Sequence, residues 1–381
     1  MWTLVKLDKA MLKKARGFFI LLALSILNFG PTWAQHTIEE SGHGEDSHAK
    51  ETFDAGKFVV EHVSDSHEWH VVSFGDKDIS IPLPVILYSK KPELHDGKSF
   101  HVFMSSKFNH GHSDYKGFRI SESEENEGKI VDLDALGNEV SKPIDLSITK
   151  TVAGVFVSVI VLFILLFSVV RSTKRNKGKA PSGLQNLVEP VVIFIRDEIA
   201  KPAIGIKKYE KFMPFLLTLF FFILINNFTG LIPIPPFGAN VTGNIAITMV
   251  LALFTFTITT INGNKHYWKE IYNPEVPWWL KFPIPLMPIV ELSGIITKPF
   301  VLMVRLFANM LAGHMIVTVF VSLIFIFASI MGVGAGYGIS VISIAFSVFI
   351  LILDILVSFI QAYVFTLLSA LYFGLATAEH H

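Results

Sequence analysis

The sequence lacks cysteine altogether, which excludes disulfide bonds, thiolate metal sites and cysteine nucleophiles from its 381 residues. It also lacks the GxxxxGK(S/T) loop that cradles nucleotide phosphates. Charge is scarce as well: charged residues make up 17% of the chain, against about 25% in average soluble proteins. Between Phe282 and Ala376 only four residues carry a formal charge, and these are Glu291, Lys298, Arg305 and Asp354.

Apolar residues dominate instead. They make up 51% of the chain, which contains 34 phenylalanines. Several apolar runs exceed the roughly 20 residues that a helix needs to cross a bilayer, so the sequence predicts a polytopic membrane protein. The net charge of zero hides an asymmetry, because residues 35–145 hold 22 of the 32 acidic residues and 11 of the 32 basic ones. Two different environments are therefore expected.

Residues 1–34 are typical of a secretory signal peptide. Lysines and an arginine precede the apolar run FFILLALSIL, and Thr32-Trp33-Ala34 supplies a small-residue cleavage site before Gln35. The alternative is an uncleaved first transmembrane helix. On either interpretation, the segment that follows starts outside the cytoplasm.

Residues 35–52 are polar and His-rich and predict a disordered tail. Residues 53–145 contain short alternating runs (KFVVEHV, WHVVSF, DISIPLPVILY, FHVFMS and KIVDLD) between turn-rich pieces, which predicts a small extracytoplasmic β-rich domain. Ten of the 14 histidines lie between His36 and His112, so a metal-binding protein with a membrane anchor is an alternative. Their spacing matches no closed metal site, and a solvated, pH-sensitive surface is favoured.

Residues 146–381 predict a membrane domain with five spans and one interfacial helix. The first span is followed by RSTKRNKGK (171–179), whose five basic residues place it in the cytoplasm by the positive-inside rule. Leu184–Ala200 mixes an apolar face with four charges and is expected to lie in the interface. The predicted spans are Ser147–Val170, Phe212–Ile232, Asn244–Ile261, Pro288–Ile330 and Ile339–Ala376, with the C-terminus in the cytoplasm.

The last two spans are too long for an upright helix. Pro288–Ile330 has 43 residues and would measure about 65 Å, whereas the hydrocarbon core is only about 30 Å thick. Ile339–Ala376 follows the glycine-rich break GVGAGYG and would measure roughly 57 Å. Both helices must lie strongly inclined, kink or project from the membrane, and inclination is favoured because the runs stay apolar almost throughout. The fold class is therefore an all-α polytopic membrane protein that carries a small β-rich N-terminal domain.

The few polar residues of these long helices form stripes. Glu291, Lys298 and Arg305 are spaced by seven and share one side of a helix, and Asn309 follows Arg305 by four. A charged residue at bilayer depth costs at least about 2.5–3.5 kcal/mol, so a functional role is the first hypothesis for it. Glu291 and Lys298 can equally well snorkel to the cytoplasmic surface, whereas Arg305 lies too deep and has no acid within a helical turn.

A second polar group involves both long helices. Asp354, Ser358 and Gln361 share one face, and a hairpin at 331–338 would bring His314 to the depth of Asp354. A histidine and an aspartate at matched depth in lipid suggest a proton relay. A voltage sensor would need several arginines, and a selectivity filter would need repeated units. A secondary transporter or ion channel with Arg305 as an anion anchor stays an alternative, although no inverted repeat is visible.

Two segments, MPIVELSGIITKPFVLMVRLFANMLAGHMI and DILVSFIQAYVFTLLSALYF, resemble the proton-channel region of subunit a of the F-type ATP synthase. NLVEPVVIFIRDEIAKPAIG and NNFTGLIPIPP resemble earlier segments of that family. The resemblance covers roughly 185–381 and leaves out 35–145. It is most specific in RLFAN and in the downstream Gln-Ala-aromatic step.

The resemblance implies a stator that faces a rotating ring of c subunits, each with a membrane carboxylate. Two offset half-channels would connect the ring to the two sides of the membrane. It also implies a b-subunit stalk, the inner membrane of a bacterium as location, and lipid and protons as further partners. Catalytic chemistry, cofactors and nucleic acid are not expected for this chain, since ATP chemistry belongs to other subunits.

The same resemblance implies roles for individual residues. Arg305 takes the essential arginine position between the half-channels, where a guanidinium that cannot lose its proton attracts each ring carboxylate and blocks leakage. Asn309 and Gln361 line its surroundings. His314 and Asp354 fall at the external half-channel, with imidazole and acid exchanged relative to some relatives.

Other polar positions are assigned with less detail. Glu291 corresponds to an acidic position of the cytoplasmic half-channel, and Lys298 and Ser358 are further possible lining residues. Asn227 and Asn244 match polar positions on earlier helices. This chain has Gly230 and Thr242 where some relatives carry aspartates, so the contribution of those helices to the external path stays open.

Overall fold

The computed structural model describes residues 65–378 except 75–76, 96, 110, 112, 122, 124–125, 127, 177–179, 233–235 and 273–285. The predicted signal peptide, the His-rich tail and the predicted strand KFVVEHV lie outside the described residues.

The N-terminal part consists of eight described strands in three antiparallel sheets, which confirms the β-rich prediction. Strands β1 and β2 pair with each other, β3 lies between β4 and β8, and β6 lies between β5 and β7. Their bounds are β1 Glu68–Phe74, β2 Lys77–Pro82, β3 Pro84–Tyr88, β4 Phe100–Met104, β5 Phe118–Ile120, β6 Ile130–Leu133, β7 Glu139–Ser141 and β8 Ile144–Asp145. Short 3-10 helices span Pro92–Leu94 and Ser105–Phe108.

The run DISIPLPVILY forms two strands rather than one. Pro82 ends β2 and Pro84 begins β3, with buried Leu83 between them. A proline has no N–H for a ladder hydrogen bond, so it is confined to strand ends and edges. Strand β3 then carries Val85 and Leu87 into the small core of this part, where they pack with Phe103 and other apolar side chains.

The rest of the described chain is mostly helical. The helices are α1 Lys150–Arg175, α2 Leu184–Phe194, α3 Lys201–Ile204, α4 Tyr209–Leu231, α5 Ile245–Ile261, α6 Lys265–Tyr272, α7 Leu286–Met331 and α8 Val333–Thr377. Helices α1, α4, α7 and α8 are long and apolar enough to cross a membrane, and α5 is a shorter apolar helix of 17 residues. Each predicted span thus corresponds to one helix, which confirms the polytopic fold class.

The predicted interfacial segment is longer than expected. A π-helical turn, Ile195–Ala200, continues α2 directly into α3, so the helical stretch runs from Leu184 to Ile204. Gly374 of α8 packs against the backbone of Ala203, and an added Cβ there would overlap its carbonyl oxygen. Glycine is therefore required where α8 crosses α3.

The glycine-rich break is shorter than the sequence predicts. Only Gly332 separates α7 from α8, with φ at 90°, and helix resumes at Val333. A residue without a Cβ adopts this left-handed conformation without strain. Gly336 lies within α8, and a Cβ added there would lie 2.7 Å from the Cβ of Ala328, so its absence lets the two helices approach. Helix α7, with 46 residues, measures on the order of 69 Å.

Candidate functional site

Arg305 lies on an exposed face of α7. Its neighbours on this face, Val301 and Val304, are 39% and 36% exposed, and Ala308 is exposed as well. Among the described residues, none forms a hydrogen bond or ion pair with the guanidinium. An arginine at the centre of an apolar helix thus has no counter-charge within the described chain.

A hydrogen bond joins the two long helices one turn beyond Arg305. The Nδ2 of Asn309 donates to the Oε1 of Gln361 over 2.9 Å. Gln361 is buried, and its Nε2 has no hydrogen-bond partner among the described residues. The same holds for the Oγ of buried Ser358 on the same face of α8. The structure therefore brings Asn309 and Gln361 together, with Ser358 one turn away.

The hairpin brings His314 and Asp354 to the same level of the membrane domain. The carboxylate of Asp354 lies against Gly313: a Cβ added there would be 2.7 Å from Oδ1 and 2.9 Å from Oδ2. The imidazole of His314 lies beside Gly230 of α4, where an added Cβ would be 3.5 Å from Nε2. Each titratable side chain thus fills the space that a glycine leaves open.

The C-terminal end of α4 holds a buried polar contact. The Oγ1 of Thr242 donates to the Oδ1 of Asn227 over 2.6 Å, and both residues are fully buried. Asn244 is the N-cap of α5, where its Oδ1 accepts from the N–H of Ala246 at 3.0 Å. Capping satisfies one of the free N–H groups at a helix start, which gives Asn244 a structural role.

Among the described residues, further buried polar atoms without a hydrogen-bond partner lie on the same helices and on the loop after α4. A partnerless buried polar atom costs about 1–3 kcal/mol and is rare in native proteins. On α4 and the following loop these atoms are Asn226 Oδ1, Asn227 Nδ2 and Asn240 Nδ2, and on α8 they are Ser347 Oγ, Asp354 Oδ2, Ser358 Oγ and Gln361 Nε2.

The polar stripe of Glu291, Lys298 and Arg305 on α7 leads, at its N-terminal end, to a small cleft. Its wall includes Lys298, whose Nζ lies 5.8 Å from the ring centre of Tyr372, together with Tyr267 and Thr259. Glu291, two turns before Lys298 on α7, is half-buried and close enough to Tyr267 to influence it electrostatically. Lys298 and Glu291 therefore line one end of the membrane domain.

Three histidines of the β-rich part, His67, His95 and His101, each have their own hydrogen-bond partner. The Nε2 of His67 lies 2.7 Å from Asp145 and that of His95 lies 2.9 Å from Asp132. In the part of the chain that the structure describes, no three His, Asp or Glu side chains are grouped to hold a metal ion. The HGH motif falls at His110 and His112, outside the described residues.

Comparison with known proteins decides the family. The ATP synthase A chain family model matches residues 155–374. The chain belongs to the ATP synthase subunit a family. Subunit a of Chloroherpeton thalassium is 43% identical over 241 residues, covering 62% of this chain and 68% of its own. Subunit a 2 of Chlorobaculum tepidum is 39% identical over 286 residues, covering 71% and 78%. Subunit a of Myxococcus xanthus is 40% identical over 246 residues, covering 62% and 75%.

Two statements follow from membership of the subunit a family. This chain is a membrane component of the proton-translocating sector of ATP synthase, and it is not a catalytic subunit. Residues 58–148 match a separate domain of unknown function, DUF8433, so the β-rich part is a unit of its own by sequence.

Sequence reasoning missed several polar residues of this site. Ser347 precedes Asp354 by seven residues and so lies on the same face of α8, a spacing that was sufficient to find it. Asn226 lies next to Asn227 on a buried helix, where two amides in succession are unusual. The contact between Asn227 and Thr242 spans a loop, and no sequence signal indicates it.

Proposed function

We propose that this chain conducts protons to and from the carboxylates of a c-subunit ring through two half-channels that Arg305 separates. The supporting observation is the exposed guanidinium, which has no anionic partner among the described residues. Keeping an arginine at bilayer depth costs at least about 2.5–3.5 kcal/mol, so a partner from another chain is expected. A ring carboxylate supplies the opposite charge without remaining bound, since each one moves on as the ring turns.

The external half-channel of this proposal follows the partnerless buried atoms. It enters at the loop around Asn240, passes Asn227, and reaches His314 and Asp354 between α4, α7 and α8. Water that bridges such groups satisfies them and carries protons between them. Ser358 and Gln361 then lead from Asp354 toward the face that carries Arg305.

The cytoplasmic half-channel opens through the cleft beside Lys298 and Tyr372, with Glu291 at its mouth. A half-buried carboxylate at the mouth of a cleft can exchange protons with the solvent. Glu291 receives the outgoing proton in this scheme, and the positive charge of Lys298 compensates local negative charge.

The orientation and the partners belong to the same proposal. The basic segment 171–179 follows α1 and lies in the cytoplasm, so the β-rich part stands outside and the C-terminus inside. The location is the inner membrane of a bacterium, and the partners are the c-ring and a b-subunit stalk.

The test replaces Arg305 with alanine in the assembled complex and measures ATP synthesis driven by an imposed proton gradient. Synthesis should fall to background while the amount of the subunit in the membrane is unchanged. Val304→Ala is the matched control, because Val304 lies beside Arg305 and is 36% exposed. Substantial synthesis by Arg305→Ala would refute the assigned role.

A further inference from the structure

The sheet formed by β4, β3 and β8 has an apolar outer face. Its inner face packs Val85, Leu87 and Phe103 into the small core. An antiparallel sheet with one solvated face ordinarily carries polar residues on that face. Here five large apolar side chains on the outer face are between 42% and 58% exposed: Tyr88, Phe100, Val102, Met104 and Ile144.

The size of this outer face is that of a binding patch. Five half-exposed side chains of this kind present on the order of 500 Å² of apolar surface. The largest apolar patch on a typical monomer covers roughly 300–600 Å² and is often functional. The outer face of the sheet is therefore comparable with surfaces that contact another molecule.

Strand β4 also has an open edge. It pairs only with β3 among the described strands. The N–H of Ser89 donates to Ser99 O and the N–H of Ser105 donates to Leu83 O, so the odd-numbered residues of β4 bond β3. The N–H and C=O groups of the even-numbered residues point away from β3. These are Phe100, Val102 and Met104, whose side chains also form the apolar face.

Such an edge selects polypeptide over lipid. Proteins usually blunt exposed edges with charged residues or proline, and the β4 sequence FHVFM contains neither. Among the described residues, this edge presents a row of unpaired backbone donors and acceptors beside alternating apolar side chains. Such a row matches an added strand, in which main-chain hydrogen bonds give affinity. Lipid tails satisfy no backbone hydrogen bond.

Charge distinguishes the two ends of the outer face. The end near Pro84 adjoins the membrane helix, because the N–H of Ile148 donates to Pro84 O and the N-cap Thr149 follows at the start of α1. The opposite end is about 17 Å away, since β3 has five residues. Four exposed lysines lie there without an ion pair to any described carboxylate: Lys90, Lys91, Lys98 and Lys142.

We propose that this face binds an extended segment of another polypeptide, which pairs with β4 and places acidic residues against the four lysines. Alternate apolar side chains of the segment pack on Phe100, Val102 and Met104. The four lysines set the direction in which the segment runs, because they lie together at the end distant from α1.

The experiment uses the full chain in membranes that contain the assembled ATP synthase. A photo-crosslinking phenylalanine analogue replaces Val102, and a control carries it at Leu136, which is 87% exposed in the turn between β6 and β7. Position 102 should give one discrete adduct whose peptide, read by mass spectrometry, alternates apolar residues beside acidic ones. Position 136 should not give it.

Charge reversal at exposed positions tests the lysines without touching the core. Lys91→Glu and Lys98→Glu together should lower the yield of the adduct at least fivefold. The proposal is overturned if position 102 yields no adduct, adducts with lipid or with a second copy of this chain, or the same yield as position 136. An adduct that the charge reversal leaves unchanged also refutes it.

Discussion

Gly313→Ala is the sharpest perturbation of the proposed proton path, because it adds one methyl group where the Asp354 carboxylate rests. The added Cβ would be 2.7 Å from Oδ1 and 2.9 Å from Oδ2, inside the 3.4 Å at which ordinary contact begins. The carboxylate therefore has to recede by about 0.7 Å. A side chain pushed about 30° from its rotamer loses roughly 0.5–1.5 kcal/mol, so the subunit should still fold and assemble.

The functional loss should exceed the loss of stability. A misplacement of about 1 Å can lower the rate of a reaction between positioned groups by about a hundredfold. A shift of about 0.7 Å should therefore lower the rate of proton conduction on the order of tenfold. The shift also changes the surroundings of the carboxylate. The pH at which conduction is half-maximal should therefore move, which a purely structural role for Gly313 would not cause.

The assay measures passive proton conduction and gradient-driven ATP synthesis in membranes, each over a range of pH. Gly294→Ala is the matched control: Gly294 lies on the same helix, and nothing would lie within 4 Å of an added Cβ. If Gly313→Ala conducts protons with the rate and pH profile of Gly294→Ala, the assignment of Asp354 to the path is wrong.

Two further predictions concern stability. The β-rich part should lose protection near its junction with α1 as pH rises through the pKa of His67. Burial disfavours the charged imidazole, but the hydrogen bond and charge of Asp145 outweigh burial and raise the pKa of His67 above its usual 6.5. That stabilisation is complete below pH 6.5 and is lost as pH rises through the raised pKa of His67. Hydrogen exchange at residues 65–68, corrected for intrinsic rates, should therefore accelerate over this pH range in the native chain. The His67→Gln variant should show no such acceleration. Gly374→Ala should destabilise the subunit by about 2–3 kcal/mol, because the backbone of Ala203 cannot yield, and its level in membranes should fall. Gly338→Ala, with open space around it, should leave that level unchanged, and equal levels of the two variants would contradict the packing argument.

Sequence reasoning succeeded where a single periodicity decides the structure. Uninterrupted apolar runs of this length predicted the helices, because a helix satisfies its backbone hydrogen bonds in lipid within a single segment. The spacing of Asp354, Ser358 and Gln361 predicted one face of α8, and the structure places Gln361 against Asn309. Reasoning was weaker at breaks: the glycine-rich segment suggested a long interruption, but only Gly332 leaves the helical conformation.

The sequence by itself determined the membrane class, the order of the helices, the arginine stripe on α7 and the family resemblance, because all of these depend on local composition and spacing. Only the tertiary structure decided which side chains meet. Gly313 lies under Asp354 and Gly230 beside His314 because three helices cross there, and a glycine has no side chain whose pattern could reveal its neighbour. The apolar outer face of β4 also emerged only when pairing fixed the direction of each backbone group. Contacts between distant segments depend on how the helices and strands pack, and the sequence of no single helix or strand determines that packing.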